Sequence, residues 1–555
     1  MLPGFKPWPD DFAQRYRHAG LWEGLTLWEM MERTVARYPD KVALVAGSLR
    51  QSYSDLDRIS AQLGASLLQL GIAPLDRVVL QLPNVPEFVH YYLALVRIGA
   101  IPVMALRSHR HTEVRHFIRA SGAVAYVLPD VVHKFDYRPM ATEMQKEFPD
   151  LKTVIVVGEP GVGQLAHSSL LAGASDSSAI TQRLAEVKFS PDDVATMLLS
   201  GGTTALSKLI PRTHNDYVLN ARLCGKAADF DEQTVFMAIL PLGHNYNLAS
   251  PGILGAFYYG GTVVLAPSGQ ADEVFSLVSR ERISVIAAAV PLISNWLVAD
   301  LPAGCDLSSL KLIQNGGARL APELRQRIIS KFGCQPQEIY GTAEGLINMT
   351  RTDDPLDLVL NSSGSPVCDE EEIKVVDDFG NEVADGESGE LLTRGPYTIR
   401  GYYRADDKNA EAFTQDGFYR MGDIVRKQGR NIYTEGRRKD LINRGGEKIS
   451  CDEVENLILM HPAVKSASLV AMPDPVFGEK ACAFAVLKEG QKLSFKELIA
   501  FLEQQNIARF KLPERLEVIA KFPLSPVGKI LKRELREMIV ARLEAEGAQV
   551  PLFST

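Results

Sequence analysis

Between residues 25 and 130, and again from Val235 to Ala289, short apolar runs alternate with stretches whose apolar residues recur at helical spacing. Leu56, Ile59, Leu63, Leu67 and Leu70 keep to one helical face, Ser54 stands where it can cap the start, and Gly71 ends the run. Val78-Val79-Leu80 then reads as a buried strand, Glu87 to Ile98 as a helix, and Ile101 to Leu106 and Ala123 to Leu128 as further strands. The later stretch repeats the rhythm with strands at Val235–Leu240, Thr262–Leu265 and Val285–Ala289 and helices at Ala249–Tyr258 and Ala271–Glu281. Leu310 to Gln314 and Glu338 to Gly341 are further strands that each lead into a Gly-containing turn. Strands separated by helices cross over and pair in parallel, which restricts the chain to α/β folds with a largely parallel sheet. Gly158 to Ser178, rich in Gly, Ala and Ser, reads as a surface connection between two such subdomains rather than as an element.

Two changes of texture follow. Glu371 to Asp423 is a run of short strands and turns such as Asp377-Asp378-Phe379-Gly380-Asn381, the pattern of an antiparallel β piece or barrel. After Gly436 comes a small α+β unit of a length that suits an independent lid. The expected division is a core over 1–436, a hinge region over 437–448 and a lid over 449–555. A net charge of −8 argues against nucleic acid or an anionic membrane as the main partner, although Arg437-Arg438-Lys439 and Lys529 to Arg536 form local basic clusters. The six cysteines contain no C-x-x-C pair, which fits a reducing compartment without a disulfide framework. The first residues lack the apolar core of a secretory signal and no apolar run reaches membrane-spanning length, so a cytoplasmic location is expected.

Chemistry-capable residues gather next to strand ends, where open α/β sheets bind ligands. Ser200, Gly201, Gly202, Thr203 and Thr204, closed by Lys208, follow the apolar run Ala195–Leu199 and offer backbone N–H groups, hydroxyls and one ammonium to a polyphosphate. This is not the pattern of P-loop nucleotidases, because no Gly precedes Lys208 and no Ser or Thr follows it. Asn315-Gly316-Gly317-Ala318-Arg319 would let a flat ring lie against backbone, although a tight turn explains the same residues. In Tyr340-Gly341-Thr342-Ala343-Glu344 an aromatic that can stack precedes a carboxylate that can hold a divalent cation. Asp423 could accept two hydrogen bonds from a vicinal diol, Gly436 to Ile449 has the charge and the Gly pair of a hinge, and Lys529 sits in a Gly turn.

Each stretch is weak alone, but their order and spacing together resemble the adenylate-forming superfamily of acyl- and aryl-CoA synthetases, luciferase and nonribosomal peptide synthetase adenylation domains. The resemblance runs from about Trp22 to Leu535. It implies a large N-terminal domain of two sheet-and-helix subdomains plus a β-barrel, and a small mobile α+β C-terminal domain. It also implies ATP and Mg²⁺ as requirements, formation of an acyl-adenylate, and transfer of the acyl group to a thiol. Carried over, Ser200, Gly201, Gly202, Thr203, Thr204 and Lys208 would hold the β- and γ-phosphates. Gly316, Gly317, Ala318 and Tyr340, with Gly341 and Thr342, would contact the nucleotide base, and Glu344 would bind Mg²⁺. Asp423 and Arg437 would hold the ribose, Asp440 would be the hinge, and Lys529 would bridge the carboxylate and the α-phosphate.

Trp8-Pro9-Asp10-Asp11-Phe12, Pro211-Arg212-Thr213-His214-Asn215-Asp216-Tyr217, His244-Asn245-Tyr246, Ser250-Pro251-Gly252 and Arg394-Gly395-Pro396-Tyr397-Thr398 narrow the resemblance to stand-alone aryl acid–AMP ligases of siderophore biosynthesis. There His244, Asn245, Tyr246, Ser250 and Gly316 would line an aryl pocket, with His244 also taking part in catalysis. Asn245 would meet a 2-hydroxyl and Ser250 a 3-hydroxyl, which favours 2,3-dihydroxybenzoate; a capping turn is the plain structural alternative for His244 and Asn245. Asn315 stands where an apolar residue, usually Val, floors that pocket, so 3-hydroxypicolinate or an aminobenzoate competes as substrate; salicylate is a further alternative, against which Ser250 stands where salicylate-using relatives often carry Cys. Ala205 and Ser207 replace the usual Gly and Pro of the phosphate loop, and weaker ATP binding is expected from them. No carrier domain follows the lid, so the acceptor is expected to be a phosphopantetheinylated aryl carrier protein in trans. Free coenzyme A is the enzymatic alternative, and a non-catalytic adenylate-binding protein is the third.

Overall fold

The structure is a computed structural model, and it describes residues 1–172, 177–200, 207–437, 441–444, 447–474, 476–505, 507, 509–525 and 528–547. The alternating half of the chain forms two sheets. One has nine strands, and its six parallel members run in the order Gln335–Thr342, Leu312–Gly316, Val285–Ala288, Val235–Ala238, Thr262–Leu265 and Val42–Ala46, with antiparallel strands at both margins. The other has seven strands, with Ile101–Met104, Arg77–Leu80, Ala125–Pro129 and Thr153–Val157 parallel at its centre. Its margin is the hairpin of Val194–Leu199 and Leu209–Thr213. Arg77–Leu80, Ala125–Pro129, Thr153–Val157, Thr262–Leu265 and Val285–Ala288 are near-continuous apolar runs, as strands covered on both faces need no alternation, whereas Leu312–Gly316 and Gln335–Thr342 bury Gln314, Asn315, Gln337 and Glu338.

Burial separates the two faces of the nine-stranded sheet. Met237, Val264, Ile286 and Ile313 pack with Phe275, Trp296, Ile328 and Phe332 from helices Ala271–Glu281, Val290–Val298 and Pro322–Phe332. Phe236, Val263, Val285 and Leu312 point the other way, toward Tyr217, Tyr246, Ile253 and Phe257 from helices His214–Ala227, Asn245–Ala249 and Gly252–Tyr259. The turn-rich stretch is a four-stranded antiparallel sheet of Glu372–Val376, Ser388–Arg394, Tyr419–Gln428 and Asn431–Arg437. The C-terminal unit has its own sheet, in which Ile442–Arg444, Gly478–Leu487 and Val464–Asp474 pair antiparallel, and its own core around Ile442, Val454, Leu469, Leu498 and Leu502.

Local signals explain the helix starts. Thr26 with Glu29, Ser52 with Asp55, Thr213 with Asp216, and Ser494 with Glu497 form capping boxes in which side chain and backbone bond reciprocally. The cap of the helix Tyr53–Gln69 is therefore Ser52, not Ser54, because the carboxylate able to reach back three residues is Asp55. The stretch Gly158 to Ser178 is also more than a connection. Leu165–Ala166 adds a strand to the seven-stranded sheet, and the helix His167–Ala172 buries Leu170, whose carbonyl accepts from Ser66 Oγ at 2.8 Å. A helix with one buried residue carries almost no periodic signal, which is why the sequence pattern conceals it. Among the described residues no helix is long and apolar enough to cross a membrane.

One buried ion pair ties these layers together. Arg212 and Asp216 are 2.7 Å apart and both are fully buried. Asp216 also closes the capping box on Thr213, and Arg212 donates to the Ala343 carbonyl of the neighbouring sheet at 3.0 Å. Asp216→Ala strands a guanidinium in an apolar interior, so the N-terminal unit is expected to lose about 3–5 kcal/mol in denaturant unfolding. A loss under about 1 kcal/mol would show that Arg212 is compensated elsewhere.

Candidate active site

Ser200 and Lys208 stand at the neck of the hairpin formed by Val194–Leu199 and Leu209–Thr213. Ser200 N donates to the Lys208 carbonyl at 3.0 Å, and Lys208 N donates to Ser200 Oγ at 2.9 Å, which closes the neck between paired Leu199 and Leu209. Gly201, Gly202, Thr203, Thr204 and Ala205 lie outside the described residues, whereas the Ser207 carbonyl is 2.8 Å from His116 Nε2. The neck delivers Lys208 to the four-stranded unit, where its ammonium sits 4.1 Å from the centre of the Tyr402 ring. Tyr402 OH donates to Glu344 Oε1 at 2.8 Å and lies 3.2 Å from Tyr419 OH. Burial together with the Glu344 charge holds the Tyr402 phenol far above its ordinary range, so it stays a donor. The backbone around Glu344 is fixed from outside: Ile399 N donates to the Glu344 carbonyl at 2.7 Å, and Arg212 holds Ala343.

Gly316 and Gly317 end the strand Leu312–Gly316 and need glycine for two different reasons. A Cβ on Gly316 would stand 2.9 Å from the Tyr246 ring, so backbone and ring lie in direct contact. Gly317 has φ +86°, a left-handed conformation that a side chain resists. Opposite this turn, Tyr340 OH donates to Asp423 Oδ2 at 2.8 Å, and Asp423 is paired in register with Arg437. Among the described residues Thr342 Oγ1, beyond the register shift at Gly341, is buried without a hydrogen-bond partner. Asp440 lies outside the described residues.

Lys529 comes from the C-terminal unit. Ser525 shapes its turn, accepting from Lys529 N at 3.0 Å through Oγ and donating its own N–H to the Lys529 carbonyl at 2.7 Å. The turn is applied to the large sheet: Lys529 Cε lies 3.1 Å from the Cβ position of Gly317, and Ala289 Cβ is 3.7 Å from that of Gly528. Lys529 is also near enough to His244 for its charge to act on the imidazole.

His244 is the N-cap of the helix Asn245–Ala249, its Nδ1 accepting from Tyr246 N at 3.3 Å, so the capping turn is real. That acceptor role leaves Nε2 as the protonated nitrogen of the neutral ring. Asn245 accepts from Tyr217 OH at 2.8 Å and donates to Ser250 Oγ at 3.2 Å, while Asn220 donates to Ser250 Oγ at 3.5 Å and to the Ala249 carbonyl at 2.6 Å. With two N–H groups directed at its oxygen, Ser250 keeps its own hydroxyl proton to donate.

Asn315 does not belong to that pocket. Gly316 faces Tyr246, and alternation along the strand turns Asn315 to the opposite side, where its Nδ2 donates to Glu338 Oε2 at 2.9 Å and to the Ala318 carbonyl at 2.7 Å. A polar Asn315 is therefore no argument for an extra polar group or a ring nitrogen on the substrate. Tyr402, Tyr419, Asn220 and Ser525 also take part with no role legible for them in the sequence, and so does Tyr217, although the motif from Pro211 contains it. The doublet Tyr402-Tyr403 behind the Arg394–Thr398 motif was the available clue for the first of these.

Strand ends from both large sheets, the four-stranded sheet and the C-terminal turn thus converge on one cleft. Two family models match the chain: AMP-binding enzyme over residues 31–403 and AMP-binding enzyme C-terminal domain over residues 453–529. The chain belongs to the AMP-binding enzyme family. It is 45% identical over 546 residues to the 2,3-dihydroxybenzoate-AMP ligase of Bacillus subtilis strain 168, covering 98% of this chain and 99% of that one. It is 43% identical over 547 residues to a salicylyl-CoA synthase / salicylate adenylyltransferase of a Streptomyces species, covering 98% and 99%. Among solved structures, the apo structure of MbtA from Mycobacterium smegmatis matches with a TM-score of 0.74 at 37% identity, covering 96% of this chain and 98% of that one.

Burial, with a smaller contribution from Lys529, pushes the His244 imidazolium down from 6.5 to about 4. Between those values the unfolded chain binds a proton that the folded chain does not, so this group's stabilisation is complete above 6.5 and declines as pH falls toward 4. Imidazole NMR of the whole protein should show His244 neutral at pH 6, and Lys529→Ala should raise its pKa toward the ordinary value. An unchanged value in Lys529→Ala would separate the two groups.

Proposed function

We propose that this chain joins an aryl acid, best 2,3-dihydroxybenzoate, to AMP and passes the aryl group to the phosphopantetheine thiol of a separate aryl carrier protein. The observation that carries the reading is Lys529, which stands at Gly317 and within electrostatic range of His244, between the nucleotide turn and the aryl segment. In the first step a carboxylate oxygen attacks the α-phosphorus and the bond to pyrophosphate breaks. Two anions must approach, and an ammonium at their meeting point offsets the repulsion and orients the attack. Ser200 and Lys208 would steady the outer phosphates, and Asp423 and Arg437 would hold the ribose. In the second step the thiol sulfur attacks the acyl carbon and AMP leaves, which requires Lys529 to withdraw. A swing of the C-terminal unit about the 437–448 segment, with Asp440 as pivot, would achieve that.

The donor set suits Mg²⁺. Among the described residues there is no cluster of three or more His, Cys, Asp or Glu able to cage a metal, and Glu344 offers a buried carboxylate. One protein carboxylate supplemented by substrate phosphates is the usual site for this ion. Bound there, Mg²⁺ would draw negative charge toward the pyrophosphate. Tyr402 would keep the Glu344 carboxylate aimed, and its contact with Lys208 would link metal and phosphate positions.

Asn245 and Ser250 support the choice of acid. A buried amide and hydroxyl, both already oriented by Tyr217 and Asn220, are left unpaired by an acid without hydroxyls. Pyrophosphate exchange across hydroxybenzoates, 3-hydroxypicolinate and aminobenzoates should be strongest with 2,3-dihydroxybenzoate, and no exchange with any hydroxybenzoate would overturn the reading. Lys529→Ala should lower exchange by about 100-fold or more while transfer from preformed aryl-AMP to the holo-carrier continues. Equal loss of both steps would refute the bridging role, and a strong preference for coenzyme A over the carrier would replace the acceptor.

A further inference from the structure

We infer that Asn315 is a positioning residue for the nucleotide, not for the acid, and that it acts with Glu338 and Arg325 as one buried clamp on the turn Gly316 to Leu320. The inference rests on the reading of that turn and Tyr340 as the two walls of the adenine slot. Three backbone atoms of the turn are held by side chains from outside it. Asn315 Nδ2 donates to the Ala318 carbonyl at 2.7 Å, Leu320 N donates to Glu338 Oε1 at 3.3 Å, and Arg325 Nε donates to the Leu320 carbonyl at 2.8 Å. The three side chains are also joined to one another: Asn315 donates to Glu338 Oε2 at 2.9 Å, and Arg325 Nη2 lies 3.0 Å from the same oxygen. All three are at most 3% exposed. Arg325 is anchored in turn by the carbonyls of Val359 and Ser362 at 2.9 and 2.8 Å.

Glu338 and Tyr340 belong to one strand, Gln335–Thr342, while Asn315 and Gly316 belong to its parallel neighbour. The clamp therefore sets the separation between the wall that carries Tyr340 and the turn that faces it. A side chain that removes both Nδ2 bonds frees the Ala318 carbonyl and takes one donor from the Glu338 carboxylate. Buried networks of this kind are stiff when satisfied and lose their geometry when one member goes. The same network accounts for a polar residue at the position where the family resemblance expects Val. Asn315 keeps one liability, since among the described residues its Oδ1 is buried without a hydrogen-bond partner. Valine has similar bulk and lacks that oxygen, so Asn315→Val is a substitution the fold should accept.

The test compares nucleotide and acid readouts in the full-length chain. In Asn315→Val the calorimetric dissociation constants of AMP and Mg·ATP, measured without any acid, should rise about fivefold to tenfold. The KM for ATP in pyrophosphate exchange should follow, while the ratios of kcat/KM among substituted benzoates stay as in the parent protein. If Asn315→Val does not fold, Asn315→Ser, which keeps one donor, carries the same comparison. Altered acid ratios with unchanged nucleotide affinity would return Asn315 to the pocket and overturn the proposal, as would unchanged values of both. A parent protein that binds AMP but exchanges pyrophosphate with no aryl acid would overturn the aryl reading alone and leave this comparison intact.

Discussion

The buried pair of Arg212 and Asp216 is the interaction on which the cleft depends. Arg212 lies on the strand that leaves the phosphate hairpin, donates to the carbonyl before Glu344, and stacks 4.8 Å from the ring centre of Tyr217. Tyr217 in turn orients Asn245. One guanidinium thus connects the hairpin closed by Ser200 and Lys208, the backbone before Glu344 and, through Tyr217, the Asn245 side chain. A neutral side chain could not hold these three together, because an oriented fork of donors is needed at several angles. Asp216 makes the charge tolerable in a dry interior and caps the helix that carries Tyr217.

The cleft is a meeting of margins. The two large sheets supply strand ends and a hairpin neck, the four-stranded sheet supplies Asp423 from within the strand Tyr419–Gln428, and hydrogen bonds fasten these units together. Tyr340 to Asp423 runs from sheet to sheet, while the segment that follows the strand Ser388–Arg394 ties in through Ile399 N to the Glu344 carbonyl and Tyr403 N to the Leu209 carbonyl. Lys529 is the contribution made by the separate C-terminal core. A lysine delivered by a second folded unit can be added or withdrawn as a body, which an alkyl chain rooted in the large sheet could not do.

Much of this was legible in the chain. The helices at Ala271–Glu281 and Pro86–Arg97 and the parallel strands follow from periodicity and apolar runs, because burial on two faces leaves a plain signature. Lys208, Gly316, Tyr340, Glu344, Asp423 and Lys529 announced themselves as chemistry at strand ends, and the structure brings them to one place. The direction in which Asn315 points is not legible, because a one-residue difference reverses the face of a strand residue and the contact of Gly316 with Tyr246 fixes which face is which. The link from Tyr402 to Glu344 and the one from Arg212 to the Ala343 carbonyl stayed hidden because these partners lie 58 and 131 residues away in sequence, beyond any local pattern.

The strand Leu312–Gly316 acts as a partition between two independent inventories. Gln314 and Gly316 belong to the side of helices His214–Ala227 and Asn245–Ala249, and Asn315 belongs to the side of helix Pro322–Phe332. Whatever distinguishes one acid from another can be rewritten in those first helices while the fastening of the nucleotide turn on the far side is left as it is. A scaffold divided in this way lends itself to grafting: an acid pocket can be transplanted whole, and the machinery common to every acid need not be rebuilt around it.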